Sequence, residues 1–165
     1  CSSDLATRLN FMPERSIEAY RKAIELDPQS STSRRSLADL LRASGNADEA
    51  ERISREILDK TPDDRSARSI LVLSLFDLGK TKEAEGELQK ALESNPDDAR
   101  LLTSVSLWHS KKGDSVTALD YARKGQRANP AFIWAYIAEA RALIQQKKPL
   151  EGEKALLLEI GRAHV

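Results

Sequence analysis

Cysteine and histidine are almost missing from this sequence of 165 residues, which contains one cysteine, Cys1, and two histidines, His109 and His164. A single cysteine excludes an internal disulfide framework and a cysteine-rich metal site, and it leaves the redox compartment open. No Cys–His or Ser–His–Asp set can be assembled around so few imidazoles. We therefore predict no catalytic site, no metal site and no cofactor.

An excess of one charge and a long apolar run are missing as well. The 26 basic residues balance 26 acidic ones, so no global field exists to attract nucleic acid or an anionic membrane. No apolar stretch approaches the roughly 20 residues that a membrane-spanning helix needs. We therefore expect a soluble chain with neither a nucleic-acid partner nor a membrane span. An aromatic content of 5% beside 40% hydrophobic residues suits a helical array better than one large core.

Three sets of residues recur in the sequence with the same period, 34 positions. The prolines of the set are Pro28, Pro62, Pro96 and Pro130, the glycines are Gly45, Gly79 and Gly113, and the alanines are Ala50, Ala84 and Ala118. A period of this length indicates a repeat array, in which each unit buries its apolar residues against its neighbours.

Each period is predicted to contain two helices. In one complete unit, Leu37, Leu40 and Leu41 recur at helical spacing, and Gly45 ends that helix. The second helix of the unit stops before Pro62, because proline lacks an amide donor and disfavours a helical conformation in the residue before it. The pattern predicts helices over residues 13–26, 33–42, 47–60, 70–78, 81–94, 101–110, 115–128, 131–145 and 150–158.

Residues 16–28, with the sequence SIEAYRKAIELDP, resemble the second helix of the tetratricopeptide repeat. The resemblance extends over residues 16–158. It implies an all-α fold of helix-turn-helix repeats stacked as a right-handed superhelical solenoid, in which the first helices line a concave face that generally holds ligand peptides. The predicted division is a partial repeat over 1–30, repeats over 31–64, 65–98 and 99–132, an incomplete repeat over 133–158, and a non-native tail over 159–165.

Small residues stand where the family resemblance requires the two helices of a unit to cross closely. They are Ser16, Ala50, Ala84, Ala118 and Gly152, and the residues expected to face them are Ala38, Val72, Ser106 and Ala140. Three kinds of residue depart from the family pattern. Arg34 and Arg68 replace a large apolar residue, Ser54 and Ala122 replace an aromatic one, and Lys147 replaces the turn glycine. We expect the units with the arginines and the missing aromatics to pack less tightly.

Both termini are set aside in the functional interpretation. Cys1 leaves two interpretations open: truncation inside a repeat, with the chain in the cytoplasm, or the lipid-bearing first residue of a mature bacterial lipoprotein anchored at a membrane. Residues 159–165 lack the repeat pattern and resemble a translated sequencing adapter, so they are excluded together with His164.

The family resemblance places candidate ligand contacts on the outward positions of the first helices. They are Arg35, Asp39, Arg42, Leu73, Phe76, Arg100, Leu107, Lys111, Trp134, Ile137 and Arg141. The apolar members either anchor a peptide with apolar side chains, led by Trp134 and Phe76, or pack against neighbouring repeats. The basic members are able to pair with carboxylates, although most such surface charges are simply solvated. Asp39 stands where family members that bind chaperone tails carry an asparagine, so we do not expect such tails as ligands.

His109 occupies the position that Leu41, Leu75 and Leu143 fill in other units, which predicts a core substitution and not a ligand. Taken with the lack of catalytic residues, the sequence predicts a noncatalytic protein- or peptide-binding scaffold that presents a concave groove. Two alternatives stay open. One is the repeat arm of a larger enzyme, such as a glycosyltransferase or a kinase, and the other is a structural spacer array.

Overall fold

A computed structural model describes residues 13–162 of the chain, with side chains described through residue 157. All of the secondary structure in this range is α-helical. The helices are α1 (Pro13–Leu26), α2 (Ser31–Ala43), α3 (Ala47–Lys60), α4 (Arg65–Asp77), α5 (Thr81–Ser94), α6 (Ala99–Lys111), α7 (Ser115–Ala128), α8 (Ile133–Gln145) and α9 (Pro149–Arg162). Cys1 and His164, to which the sequence analysis gave particular attention, lie outside the described residues.

Three first helices, α2, α4 and α6, begin earlier than their apolar pattern predicts because side chains cap them, whereas α8 begins two residues later than predicted. The carboxylate of Asp64 accepts a hydrogen bond from the amide of Ala67 at 2.9 Å, and Asp98 accepts one from Leu101 at 2.9 Å. Such caps satisfy amides that have no partner inside the helix, and they fix the helix start at the following residue. The helices α4 and α6 therefore start at Arg65 and Ala99.

Helix α9 corrects the expectation that helical structure ends near residue 158, because it continues to Arg162. A single glycine, Gly161, stands in this last turn, and no proline follows it in the sequence. One glycine inside a helix costs only about 1 kcal/mol relative to alanine, so the helix passes through it. The origin of residues 159–165 stays a prediction.

The turns between the two helices of a repeat use the left-handed backbone region. Gly45, Gly79 and Gly113 have φ angles of 90°, 75° and 85°, and Lys147 has a φ of 61° at the equivalent place. In each turn the next residue's amide bonds back to the first helix, as from Lys148 to the carbonyl of Leu143 at 2.9 Å. Lysine is disfavoured there by its Cβ atom, at a cost of roughly 1–2 kcal/mol. The last hairpin therefore keeps the same turn at a higher conformational cost.

The chain divides into two compact units, Cys1–Leu88 and Gln89–Val165, which we call the N-terminal unit and the C-terminal unit. The boundary falls inside α5. A buried apolar cluster of the N-terminal unit joins α2, α3 and α4 and consists of Leu37, Ala38, Leu41, Ala50, Ile53, Ile57, Ala67 and Ile70. Buried apolar residues on α6, α7 and α8 of the C-terminal unit include Leu101, Leu102, Val105, Ala118, Ala122, Ala135 and Leu143.

Small residues mark the close helix crossings, as the sequence predicts. Ala50, Ala84 and Ala118 are fully buried. The hydroxyl of Ser106 donates to the carbonyl of Ala118 at 2.6 Å across one crossing. At another, a Cβ atom on Gly152 would lie 3.0 Å from the carbonyl oxygen of Ala140. A larger side chain at these positions would force the helices apart.

The two arginines that replace a large apolar residue take over a tethering contact. Arg34 donates to the carbonyl of Pro28 at 3.0 Å, and Arg68 donates to that of Pro62 at 2.6 Å. The last repeat makes the same contact from the hydroxyl of Tyr136 to Pro130 at 3.1 Å. The arginines also form ion pairs with the second helix of their own repeat, Arg34 with Glu56 at 3.5 Å and Arg68 with Glu87 at 2.7 Å. Polar tethers thus hold the loop where an apolar residue was expected.

Candidate binding faces of the first helices

Two of the predicted basic groove residues in the N-terminal unit are ion-paired within the chain. Arg35 on α2 lies 2.7 Å from the carboxylate of Asp64, and Arg42 lies 3.2 Å from that of Asp77. Asp39, one turn earlier on α2, is a further partner of Arg42 at 3.7 Å. A ligand carboxylate would have to compete with these acids, so α2 offers little free positive charge.

The prediction that Phe76 faces the groove is wrong, because its side chain is only 1% exposed. Numbering each repeat from its first residue, 31, 65, 99 or 133, places Phe76 at position 12. Arg42 and Ser110 hold the same position, and within their own units they bond to the next repeat, at Asp77 and Gln145. Position 12 therefore belongs to the packing surface between repeats. Leu73, at position 9 of the same helix, is half-buried.

In the C-terminal unit, the predicted residues remain largely open to solvent. Trp134 is 56% exposed and Ile137 is 37% exposed on α8, and Leu107 on α6 is half-buried. The basic residues Arg100, Lys111 and Arg141 are exposed. Across residues 13–157, where side chains are described, these three form no ion pair.

Trp134 is exposed because of its position within the repeat, and not only because its repeat is the last one in the chain. Trp134 stands at position 2, where Thr32, Ser66 and Arg100 are also exposed although other repeats follow them. A position that stays open in the middle of the array would also stay open if another repeat followed. Ile144 differs, because it is 56% exposed at position 12, where a following repeat bonds or packs. Trp134 thus holds a position that is exposed in every repeat, whereas Ile144 holds one that is buried or bonded in the earlier repeats.

Helices α6 and α8 are joined near their C-terminal ends by a bond between position 12 of one and position 13 of the other. The hydroxyl of Ser110 donates to the side-chain oxygen of Gln145 at 2.8 Å, and the amide of Gln145 donates back to the carbonyl of Ser110 at 2.8 Å. Continuing this near-equivalent register toward the start of the two helices places Arg100 on the level of Trp134 and Leu107 on the level of Arg141. Seven helical residues separate the two levels by about 10.5 Å. We call Arg100, Leu107, Trp134, Ile137 and Arg141 the α6/α8 face.

His109 is confirmed as a partly buried packing residue. Its side chain is 15% exposed, and its ring stacks on Tyr121 with centroids 5.8 Å apart. Its Nδ1 lies 3.2 Å from the carboxylate of Asp114. Hydrogen bonds from Thr117 and the neighbouring His109 lower the pKa of Asp114, which caps α7. The cluster joins the end of α6 to the start of α7.

Sequence analysis missed Glu139, a carboxylate only 9% exposed on α8. It stands at position 7, where Leu37, Leu71 and Val105 are part of the core. Arg123 donates to it at 2.8 Å and Gln126 donates at 2.6 Å, both from α7. A comparison of the repeats by position would have singled it out as the one charged residue at position 7.

Another feature that sequence analysis did not predict is a cavity of about 300 Å³ in the N-terminal unit between α1, α2 and α3. Its apolar lining is Ile24, Leu37 and Ile53, and its charged lining includes Arg21 and Glu49, which pair at 2.9 Å. No group of three or more His, Cys, Asp or Glu side chains able to hold a metal occurs in the described part of the chain. None of the described helices is long and apolar enough to cross a membrane.

Comparison with known proteins identifies the repeats. A family model for the tetratricopeptide repeat matches residues 10–73, and a second one matches residues 71–131. No curated protein matches the chain by sequence. Among solved structures, a crystal structure of MamA has 21% identity and a TM-score of 0.64, with 90% of this chain and 86% of that chain covered.

Other solved structures extend the likeness at low identity. A MamA structure from Desulfovibrio magneticus has 13% identity and a TM-score of 0.63, with 96% of this chain and 91% of that chain covered. A tetratricopeptide repeat protein from Parabacteroides merdae has 17% identity and a TM-score of 0.60, and the match covers 98% of this chain but 64% of that one. These likenesses show the fold alone and confirm the predicted all-α repeat class. With both family models matched, the chain belongs to the tetratricopeptide repeat family.

Proposed function

We propose that this chain is a noncatalytic scaffold that binds a peptide segment of a protein partner on the α6/α8 face. The observation that carries the proposal is the exposure of Trp134, a large apolar side chain, at a repeat position that stays open along the array. A solvated surface gains nothing in stability from such a group, and clustered apolar exposure is typical of interaction sites. Membership of a family built from interaction repeats agrees with this function.

Binding would rely on a surface that is already formed. The backbones of α6 and α8 are held by the reciprocal hydrogen bonds between Ser110 and Gln145, so little ordering is required of the scaffold. A rigid host avoids part of the entropy cost of association. Trp134 would act as the anchor, with Ile137 and Leu107 extending the apolar contact, because buried tryptophan side chains dominate many interfaces.

The predicted groove residues of the N-terminal unit have a smaller part in this function. Phe76 is buried and is no longer an anchor. Arg35 and Arg42 are engaged by acids of the chain itself. Leu73 and Asp39 stay candidates for secondary contacts, and Lys111 lies one turn beyond the α6/α8 face at the end of α6.

A random 12-residue peptide library displayed on phage tests the proposal directly with the whole chain. We expect wild type to select peptides, and Trp134→Ala to bind the selected peptides about 30-fold more weakly, which corresponds to a hot-spot loss of about 2 kcal/mol. Titration calorimetry measures the affinity, and circular dichroism confirms that the variant is folded.

Val116→Ala is the matched control, because Val116 is an exposed apolar residue, 73% accessible, on the second helix α7 of the same unit. It should leave the affinity unchanged. Selection of no peptide, or equal binding by Trp134→Ala and wild type, would overturn the proposal.

A further inference from the structure

Resting on the proposed function, we propose that the partner segment is acidic as well as apolar, and that two of its carboxylates pair with Arg100 and Arg141 beside the Trp134 anchor. The α6/α8 face alternates charge and apolar surface. At position 2 the cation lies on α6 and the apolar residue on α8, whereas at position 9 Leu107 lies on α6 and the cation on α8. Because a cation and an apolar residue lie at each of the two levels, we expect the partner segment to carry both acidic and apolar side chains.

Among residues 13–157, whose side chains the structure describes, no acid forms an ion pair with either arginine of the face. The i−3, i−4, i+3 and i+4 neighbours of Arg141 on α8 are Ala138, Ile137, Ile144 and Gln145, none of them acidic. Arg42 shows the contrasting case, with Asp39 and Asp77 both within 4 Å. An exposed guanidinium without a partner keeps its donors for a carboxylate, which it can bind through two parallel hydrogen bonds.

Arg100 also stands where a helix does not favour a cation. It is the second residue of α6 (Ala99–Lys111), whose first turn contains no acidic residue. The N-terminal end of a helix dipole disfavours positive charge there, by about 0.3–1 kcal/mol. The cap Asp98 already offers a carboxylate to this end of the dipole, so it is the arginine that would attract an approaching carboxylate.

The geometry sets the spacing of the ligand residues. The levels at positions 2 and 9 are about 10.5 Å apart along the helices. An extended peptide rises about 3.3 Å per residue, so its acidic and apolar residues should recur about three positions apart. A helical ligand would need a spacing of about seven residues to cover the same distance, at 1.5 Å per residue.

A peptide fits the face better than single-stranded nucleic acid, although both could meet arginine and tryptophan. Nucleic acid is held by a basic track along the backbone and by several aromatic platforms for the bases. The α6/α8 face has one aromatic residue, and its other apolar members, Leu107 and Ile137, are aliphatic. Aliphatic side chains favour the apolar side chains of a peptide over the faces of bases.

The peptides selected from the random phage library supply the test. We expect them to be enriched in Asp and Glu about three residues from a large apolar residue. The variant Arg100→Gln with Arg141→Gln should weaken their binding about tenfold, as should replacing their acidic residues by amides, and raised salt should reduce the affinity of wild type. Arg127→Gln, which removes an exposed arginine near the end of α7, is the matched control and should change the affinity less than twofold.

A charge exchange sharpens the test, because Arg141→Glu should select peptides with basic residues at the equivalent place. Peptides that depend on Trp134 but lack acidic residues and bind the double Gln variant equally would overturn this inference and leave the proposed function standing. Selection of no peptide would overturn both. Self-association of wild type in sedimentation that the double Gln variant abolishes would replace the peptide with a second copy. Binding of oligo(dT) that Trp134→Ala abolishes, tighter than that of any selected peptide, would replace it with nucleic acid.

Discussion

The two units join the first helices of successive repeats through different kinds of contact. Positions 12 and 13 of successive repeats meet in both units. In the N-terminal unit this contact is an ion pair between Arg42 and Asp77 at 3.2 Å, and in the C-terminal unit it is the reciprocal hydrogen-bonded pair of Ser110 and Gln145. Either chemistry joins the first helices, so the architecture does not dictate which one is used.

The kind of contact between repeats determines which charged side chains remain without a partner on the surface of each unit. In the N-terminal unit, further ion pairs join successive repeats, such as Arg21 with Glu49 at 2.9 Å and Arg55 with Glu83 at 3.1 Å. That unit has 14 basic and 17 acidic residues, and the C-terminal unit has 12 basic and nine acidic ones. Where neutral hydrogen bonds join the repeats, Arg100, Lys111 and Arg141 form no ion pair with any described side chain. The N-terminal charges therefore have structural work, and the C-terminal ones are the charges that the proposed function gives to the ligand.

We expect the largest loss in the free energy of unfolding when the N-terminal caps Asp64 and Asp98 are removed. Both cap a first helix, and Asp64 also binds Arg35 at 2.7 Å. We expect Asp98→Ala to lower the free energy of unfolding by about 1 kcal/mol, the usual value of a cap. Asp64→Ala should cost about 2 kcal/mol, because it also leaves a partly buried arginine without its partner.

Urea denaturation followed by circular dichroism measures both losses, and Arg35→Gln reports on the ion pair separately. Equal losses for Asp64→Ala and Asp98→Ala would show that the Arg35 contact contributes nothing to the stability of the N-terminal unit.

A smaller effect is expected from breaking the contact between positions 12 and 13. Gln145→Ala leaves the hydroxyl of Ser110, a residue only 1% exposed, without its acceptor. A buried group that loses its partner costs about 1 kcal/mol or more. Asp77→Ala should cost only about 0.5 kcal/mol, because exposed ion pairs contribute little and Arg42 keeps Asp39 as a partner.

Urea denaturation shows which of the two variants, Gln145→Ala or Asp77→Ala, loses more stability. Repeating it at high salt separates the loss of a hydrogen bond from the loss of an ion pair. High salt should remove the cost of Asp77→Ala and leave that of Gln145→Ala. A greater loss for Asp77→Ala would reverse the comparison between the units.

We expect the smallest change in stability from Glu51, and this change should depend on pH. Burial of Glu51 opposes its ionisation, but hydrogen bonds from Lys80 at 2.8 Å and Arg55 at 2.9 Å outweigh it and lower the pKa of the carboxyl below its ordinary value. A carboxyl whose pKa is lower in the folded protein stabilises it above the unfolded-state pKa and loses that effect as pH falls through the folded-state pKa. Glu51→Gln should therefore reduce stability by about 0.5 kcal/mol near neutral pH.

Denaturation of both proteins from pH 7 down to pH 2 checks this expectation. The curves for wild type and Glu51→Gln should converge at the acidic end. A difference that stays constant over this range would mean that the effect of the substitution is not electrostatic.

Much of the fold could be predicted because the repeat signals are local in sequence. Glycine, proline and the spacing of apolar residues predicted the bounds of α1, α3, α5 and α7 to the residue. The starts of the first helices were missed because the caps Asp64 and Asp98 belong to the loops and not to the apolar pattern. The family resemblance added the small residues at the crossings, and Gly152 illustrates how closely two helices approach there.

The binding face was harder to predict because it depends on what lies across from each residue. Phe76 and Trp134 both stand on outward phases of a first helix, yet one is buried and the other is open. Arg42 and Arg141 likewise look alike in the sequence, and they differ only once the structure shows acids beside Arg42. These differences arise between repeats, over separations of about 30 residues such as that between Arg35 and Asp64. A pattern read along one helix does not contain them.

The left-handed conformation of Lys147, with a φ of 61°, has a consequence for how the array comes apart. Detaching α9 lets this residue relax into an ordinary backbone conformation, so the strain of the turn is released by local unfolding of the last hairpin. The three glycine turns, with φ of 75° to 90°, hold no such strain to release. Partial unfolding should therefore begin at α9, where it exposes the side of α8 that packs against α9 and leaves the earlier repeats folded.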